Sequence, residues 1–193
     1  MREYQYLIEA NFGKYTAISE SAQKYLFENF NLKEYNSREL LVEAGQVARY
    51  FYLVISGVQV LYLIDGKGEK VVLGFSFGGT VSGIYDSFLE QMPSSYFLEA
   101  LTPSRLIAIN REQYLKLFEL FPEFNQWRIQ FMEGILFGRG KREVELLTLS
   151  AKDRFDAFVK RCPKELLQIP QKYLASYLNM KPETFSRLRA KRD

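Results

Sequence analysis

The spacing of apolar residues changes period twice along the chain, and that change limits the fold more than any single residue does. Residues 2 to 30 carry apolar positions at helical spacing, among them Tyr6, Leu7, Ala10, Ala22, Tyr25, Leu26 and Phe30, which predicts short helices. Between Leu32 and Ile109 the pattern becomes short apolar or alternating runs: Leu40 to Val42, Tyr50 to Ser56, Val58 to Ile64, Lys70 to Phe75, Tyr96 to Leu101 and Arg105 to Ile109. Turn residues separate these runs, and Asp65-Gly66-Lys67-Gly68 is a hairpin signal between two of them. Short strands at this spacing predict a compact antiparallel roll or barrel.

Helical periodicity returns after Asn110, a residue suited to an N-cap, and runs from Arg111 to Phe121. Pro122 interrupts it and fits the first turn of a long helix from about 122 to 148. Phe124, Trp127, Phe131, Met132 and Ile135 give that helix an extended apolar side that needs a partner. The partner is either a second copy of the chain or the chain's own roll. Gly134, Gly138 and Gly140 each cost a helix about 1 kcal/mol relative to Ala, so they either permit close helix approach or break the helix near Gly138. Ser150 and Asp153 mark a helix start leading through Phe155, Phe158 and Val159 to a stop at Cys162-Pro163, which places a domain boundary near Ser150. The expected class is α+β, with residues 1–149 forming the roll and long helix and residues 150–193 a helical unit.

Residue usage removes whole classes of chemistry. With no His and a single Cys, the chain cannot assemble a His/Cys zinc site, a four-Cys iron–sulfur cluster, a Ser-His or Cys-His pair, or an intrachain disulfide. Lone Cys162 reads as a small packing residue. No Walker-type phosphate loop is present, and Gly78-Gly79 with Gly83 is spaced wrongly for a dinucleotide fingerprint. The expectation is a protein without cofactor or metal and without catalytic function. The uncharged stretch from Tyr50 to Ile64 is too short to span a bilayer, and the N-terminus lacks the blocks of a secretion signal. Cytoplasmic residence, with no membrane association, is expected.

Charge gathers at the other end. The chain carries a formal +3, and the segment from Lys181 to Asp193 accounts for all of it: Lys181, Arg187, Arg189, Lys191 and Arg192 stand against Glu183 and Asp193. Concentrated positive charge on one terminal element is what a phosphate-facing surface requires. Ile169 to Arg192 reads as two short helices joined by a tight turn: Ala175 is small where helices cross, Asn179 tolerates a left-handed backbone, and Leu174, Leu178, Phe185 and Leu188 face inward. Pro182 suits the first position of the second helix. Glu183, Ser186 and Arg187 then share one face at i, i+3 and i+4. Arg187 can donate two hydrogen bonds to guanine, Glu183 can accept from cytosine, and Ser186 can do either.

A roll, a long helix and a helix-turn-helix in this order resemble the Crp/Fnr family of bacterial transcription regulators, and the resemblance covers nearly the whole chain. In the roll it is carried by Glu43-Ala44-Gly45 and Tyr50 to Gly57, and at the C-terminus by Leu174 to Arg189. Phe88-Leu89 through Pro93 to Ala100 looks like the divergent branch common in Bacteroidetes-type bacteria. The resemblance implies a cyclic-nucleotide-binding-domain-like jelly roll, a dimerisation helix with Phe124, Trp127, Phe131 and Ile135 at the homodimer interface, and palindromic double-stranded DNA as partner. It implies that Glu183, Ser186 and Arg187 read bases, as in Fnr-type readers of TTGAT-like half-sites. Gln171, Lys172, Lys181, Thr184, Arg189 and Lys191 would contact phosphate.

In family members that hold cyclic AMP, a Glu and an Arg anchor the ribose and phosphate. Ile84 and Ser94 occupy those positions here, which predicts no tight cyclic-nucleotide binding. Two readings of the pocket stay open: an effector of different, less charged chemistry lined by Gly83, Ile84, Tyr85, Ser94, Ser95 and Tyr96, or a roll that serves only as scaffold. The competing function is a ligand-binding or scaffold module that keeps the architecture without specific DNA binding. The chain stops at Asp193, directly after the second helix of the pair, so no C-terminal wing is expected to brace it.

Overall fold

A computed structural model describes residues 11–12, 18–161 and 169–191. The helical expectations for residues 2–10, the stop at Cys162-Pro163 and the packing role of Cys162 lie outside these residues. Helix α1 (Glu20–Asn29) leads into β1 (Asn31–Tyr35), β2 (Leu40–Val42), β3 (Tyr50–Ser56), β4 (Val58–Ile64), β5 (Lys70–Phe77) and β6 (Val81–Ser82). Helix α2 (Tyr85–Glu90), β7 (Phe97–Ala100) and β8 (Ser104–Asn110) complete the roll. Among the described residues five helices follow: α3 (Arg111–Leu120), α4 (Phe124–Thr148), α5 (Ala151–Arg161), α6 (Gln171–Tyr177) and α7 (Pro182–Ala190).

The strands form two antiparallel four-stranded sheets, sheet A in the order β1-β8-β3-β6 and sheet B in the order β2-β7-β4-β5. The turn between β4 and β5 closes as its sequence requires: Asp65 Oδ1 accepts from the amides of Lys67 (2.8 Å) and Glu69 (3.0 Å). Neither β1 nor β6 stands out in the sequence. Each is too short or too polar to alternate clearly, and each forms because a neighbouring strand offers its backbone: β8 pairs all five residues of β1. Helix α2 is likewise too short to show a period.

Two cores result. The first lies between the sheets and under α1, α3 and the start of α4, with Leu26, Val54, Phe88, Leu106 and Ile107 nearly or fully buried. The second lies on the outer face of sheet B. Strand β4 supplies it by alternation: Val58, Val60 and Tyr62 point outward to Phe155, Phe158, Leu174 and Phe185, while Leu61 packs inward.

Capping follows the sequence. Asn110 Oδ1 accepts from the Gln113 amide at 2.9 Å, and Ser150 Oγ accepts from the Asp153 amide at 3.2 Å. Helix α4 begins at Phe124, two residues later than expected, and then runs unbroken through Gly134, Gly138 and Gly140 to Thr148. Its 25 residues span about 37 Å.

The assignment of Phe124 and Trp127 to a subunit interface does not hold. Phe124 is fully buried and Trp127 is 3% exposed within the chain's own first core. Phe131 stacks on Trp127 at 5.1 Å and meets Phe51 of the roll edge-on at 6.0 Å. The cause is geometric: the roll is the nearest apolar surface, and the first two turns of α4 close it. Ile135, one turn further on, is exposed at the margin of that face and stays available to a partner.

Candidate nucleic-acid interface

Helices α6 and α7 cross at Ala175, which is fully buried. Any larger side chain there would hold them apart. The turn between them is closed by backbone bonds from Met180 to Ala175 and from Asn179 to Ser176, both 3.0 Å, and Asn179 takes a φ of 50°. Asn is among the residues that tolerate this left-handed geometry, so the turn is legible in its sequence. Phe185 is buried on the inner side of α7, with its ring 5.3 Å from Phe155 and nearly perpendicular to it.

A bracing contact escapes sequence reasoning. The guanidinium of Arg154, on α5, donates to the carbonyl oxygens of Leu149 (2.6 Å), Leu178 (2.9 Å) and Asn179 (3.1 Å). It ties the end of α4, the helix-turn-helix turn and α5 to one point, and satisfies carbonyls at helix ends that would otherwise lack partners. Its only sequence signal is an Arg on the inward side of an amphipathic helix.

On α7, Lys181 holds the N-cap position and Pro182 the first helical position. Glu183, Ser186 and Arg187 are exposed, and among the described residues neither charged side chain enters an ion pair. The three therefore stand together on one solvent-facing side. Lys172, Lys181 and Lys191 are exposed as well, while Gln171, Thr184 and Arg189 are half-buried. Lys172 Nζ lies over the Tyr173 ring at 5.3 Å. Arg192 lies outside the described residues.

The six candidate effector residues are spent in different ways. Ile84 is buried in the first core, at the N-terminus of α2. Gly83 has φ +154°, and a Cβ there would come within 3.1 Å of Phe51. Tyr85 Oη pairs with Tyr114 Oη at 3.1 Å. Ser94 Oγ accepts from the Tyr96 amide at 2.8 Å and donates to the Tyr96 carbonyl, so its hydroxyl closes a turn; Ser95 is exposed. The Phe51 ring contacts Tyr85, Phe88, Tyr114 and Phe131 at centroid distances from 5.6 to 6.0 Å. Burial, followed by its bond to Tyr85, pushes the Tyr114 phenol well above its usual range, so it stays neutral. An apolar cavity of about 20 Å³ remains among Phe30, Phe51, Tyr52, Tyr114 and Trp127, and Tyr85 also lines an open groove of about 510 Å³ against Arg128, Ile129 and Met132 of α4.

A roll of two antiparallel sheets with a short helix before its seventh strand, followed by a long helix and a helix-turn-helix pair, defines a class, and the comparisons agree with it. Residues 32–120 match the family described as "Cyclic nucleotide-binding domain". The chain is 26% identical over 161 residues to the fumarate nitrate reduction regulatory protein of Klebsiella oxytoca and to its counterpart in Escherichia coli K12. That match takes in 78% of this chain and spans 64% of the length of either relative. Among solved structures, FixK2 from Bradyrhizobium japonicum superposes with a TM-score of 0.74 at 18% identity, covering 84% of this chain and 83% of its own. The c-di-GMP-responsive global regulator CLP of Xanthomonas campestris gives 0.67 at 20% identity, covering 90% and 91%. Residues 32–120 thus resemble a cyclic nucleotide-binding domain, the chain is similar in sequence to the fumarate nitrate reduction regulatory proteins, and it shares the fold of FixK2 and CLP.

Proposed function

We propose that this chain is a dimeric, sequence-specific DNA-binding transcription regulator of the Crp/Fnr type, with residues 1–149 as roll and dimerisation part and residues 150–193 as the DNA-binding part. The observation that carries the reading is the exposed set Glu183, Ser186 and Arg187 on a helix whose opposite side is anchored by Phe185 and whose preceding turn is fixed by Arg154. Such a helix presents hydrogen-bonding groups to a major groove without cost to its own packing. Arg187 would pair with guanine and Glu183 with cytosine, in half-sites of TTGAT type. Lys172, Lys181, Lys191, Gln171, Thr184 and Arg189 would hold the phosphates. A protein that acts on genomic DNA works in the cytoplasm of a bacterium.

Dimerisation is proposed through a different side of α4 from the one the sequence suggested. Ile129, Leu136, Val144 and Leu147 are exposed, and at about 100° per residue Ile129, Met132, Leu136, Gly140 and Leu147 fall on one side, opposite Trp127. Spacings of seven, four and seven residues suit two α4 helices wrapped on each other, with Gly140 allowing close approach.

Selection of duplexes from a random library tests function and half-site together. The expected product is a palindrome with TTGAT-like arms, bound with affinity that falls steeply as salt rises because several phosphate counterions are released. Recovery of no consensus, with weak binding indifferent to sequence, would favour a scaffold module. The roll is proposed not to hold a cyclic nucleotide, because rings fill its interior and Ile84 and Ser94 stand where charged anchors are needed. Saturating cyclic AMP or cyclic GMP should leave the melting temperature unchanged, since a ligand bound only to the folded state must raise it.

A further inference from the structure

We propose that the groove between the β4–β5 hairpin and the helix-turn-helix pair is a phosphate-binding channel for the DNA backbone, so that the roll itself takes part in holding the duplex. The proposal rests on the DNA-binding reading above and extends it to a wall that the helix pair does not supply.

The groove encloses about 640 Å³. Gly68 to Val72 of the hairpin and β5 form one wall, and Lys172, Tyr173 and Ser176 of α6, with the turn from Asn179 to Pro182, form the other. Strand β5 is the last strand of sheet B, so its outer backbone groups have no strand partner. Helix α6 supplies one: Ser176 Oγ accepts from the Val72 amide at 3.0 Å and donates to the Lys70 carbonyl at 2.9 Å. From α4, Arg142 donates to the carbonyls of Val72 (3.3 Å) and Tyr177 (2.9 Å), one on each side. These bonds fix the walls to each other, and the width of the channel is set before any ligand arrives. A site that is already formed loses little freedom on binding.

Charge in the channel is uneven. Lys70, Lys172 and Lys181 line it, against Glu69 as the only carboxylate of the lining. Lys172 and Lys181 are exposed and enter no ion pair among the described residues. Lys70 is paired, with Nζ 2.6 Å from Glu99 Oε2, but the Glu99 side chain behind it is 6% exposed while that of Lys70 is 39% exposed. The ammonium is thus held at the wall with donors beyond the one that Glu99 takes. A cleft dominated by one sign of charge concentrates the opposite sign. Position then selects the occupant. Lys181 is the N-cap of α7, the helix that carries Glu183, Ser186 and Arg187, so the channel opens where that helix would meet a duplex. A backbone held at Lys172 and Lys181 continues between the walls to Lys70, which makes the hairpin a positioning contact that carries no base preference.

The test uses the full chain, Glu69→Lys and Glu28→Lys, each titrated by anisotropy over a salt series with the selected palindrome carrying one further helical turn of duplex on each side. Both substitutions change the net charge equally at an exposed position, and Glu28 lies on α1, which packs on the first core and not on the channel. Glu69→Lys should tighten binding about three- to tenfold near physiological salt and steepen the log–log salt dependence by about one. Glu28→Lys should do neither, and melting should show both variants folded. Equal effects of the two substitutions, or none from Glu69→Lys, would overturn the proposal and leave the DNA-binding reading intact. So would a melting temperature of the parent raised by inorganic phosphate or pyrophosphate with no gain on duplex, which would give the channel to a free anion. If neither the parent chain nor either variant binds any selected duplex, the reading and the proposal fall together.

Discussion

Arg187 and Arg154 carry the same charge and opposite duties. Arg187 is exposed on α7 and makes no ion pair among the described residues, so its contribution is available to a partner. Replacing it with Ala should weaken binding to the selected duplex by about 1–3 kcal/mol and relax preference at one base pair, with thermal stability unchanged; fluorescence anisotropy at fixed salt, on matched and mismatched sites, checks this. Arg154 is committed inward, to two carbonyl oxygens of the helix-turn-helix turn and one at the end of α4. Arg154→Met keeps the aliphatic stem and removes the donors, and should cost about 2 kcal/mol or more of stability, read as a lower denaturation midpoint. The two residues look alike in a composition. Their difference is legible in the sequence only for Arg187, whose spacing from Glu183 and Ser186 marks a shared face, whereas Arg154 depends on where distant carbonyls come to lie.

At the level of elements, α5 is tied back to the last turn of α4 by Arg161, at its own C-terminal end, which grips both carboxylate oxygens of Glu145. That bond holds the Glu145 carboxyl below the usual carboxylate range, against the opposing effect of burial. A depressed pKa in the folded state contributes stability above the ordinary carboxylate pKa, and the contribution disappears as pH falls through the lowered value. The parent chain should therefore lose more thermal stability between pH 6 and acid pH than Glu145→Gln does. Calorimetry of the two proteins across that range measures the difference. Strands β3 and β4 were visible in the sequence as near-continuous apolar runs because residues on both faces of each are buried. Strands β1 and β6 and helix α2 were not, since their conformation is imposed by backbone pairing and by the roll they close. The start of the apolar stripe of α4, Phe124 and Trp127, was seen and misassigned for a related reason: periodicity shows that a face must be covered, and not by what.

For the whole molecule, the decisive quantity is which surfaces remain uncovered once both cores are formed. Leu136 is 67% exposed on the side of α4 turned away from Trp127. Leu136→Glu should leave circular dichroism and melting of the single chain intact, yet shift sedimentation equilibrium to monomer and weaken binding to a full palindrome far more than to one half-site, because the second half-site then binds independently. An unchanged dimer would place the seam elsewhere.

The proposed reading triad of α7 takes almost no part in holding the protein together, while Phe185 and the Arg154 bonds hold the helix from behind. Stability and base preference are thereby assigned to different atoms. Exchanges at Glu183, Ser186 and Arg187 fall in the class of surface substitutions that change folding by about 0.5 kcal/mol or less. On the function proposed above, a lineage carrying this scaffold could rewrite which promoters it addresses through three codons, with no compensating change anywhere in the core.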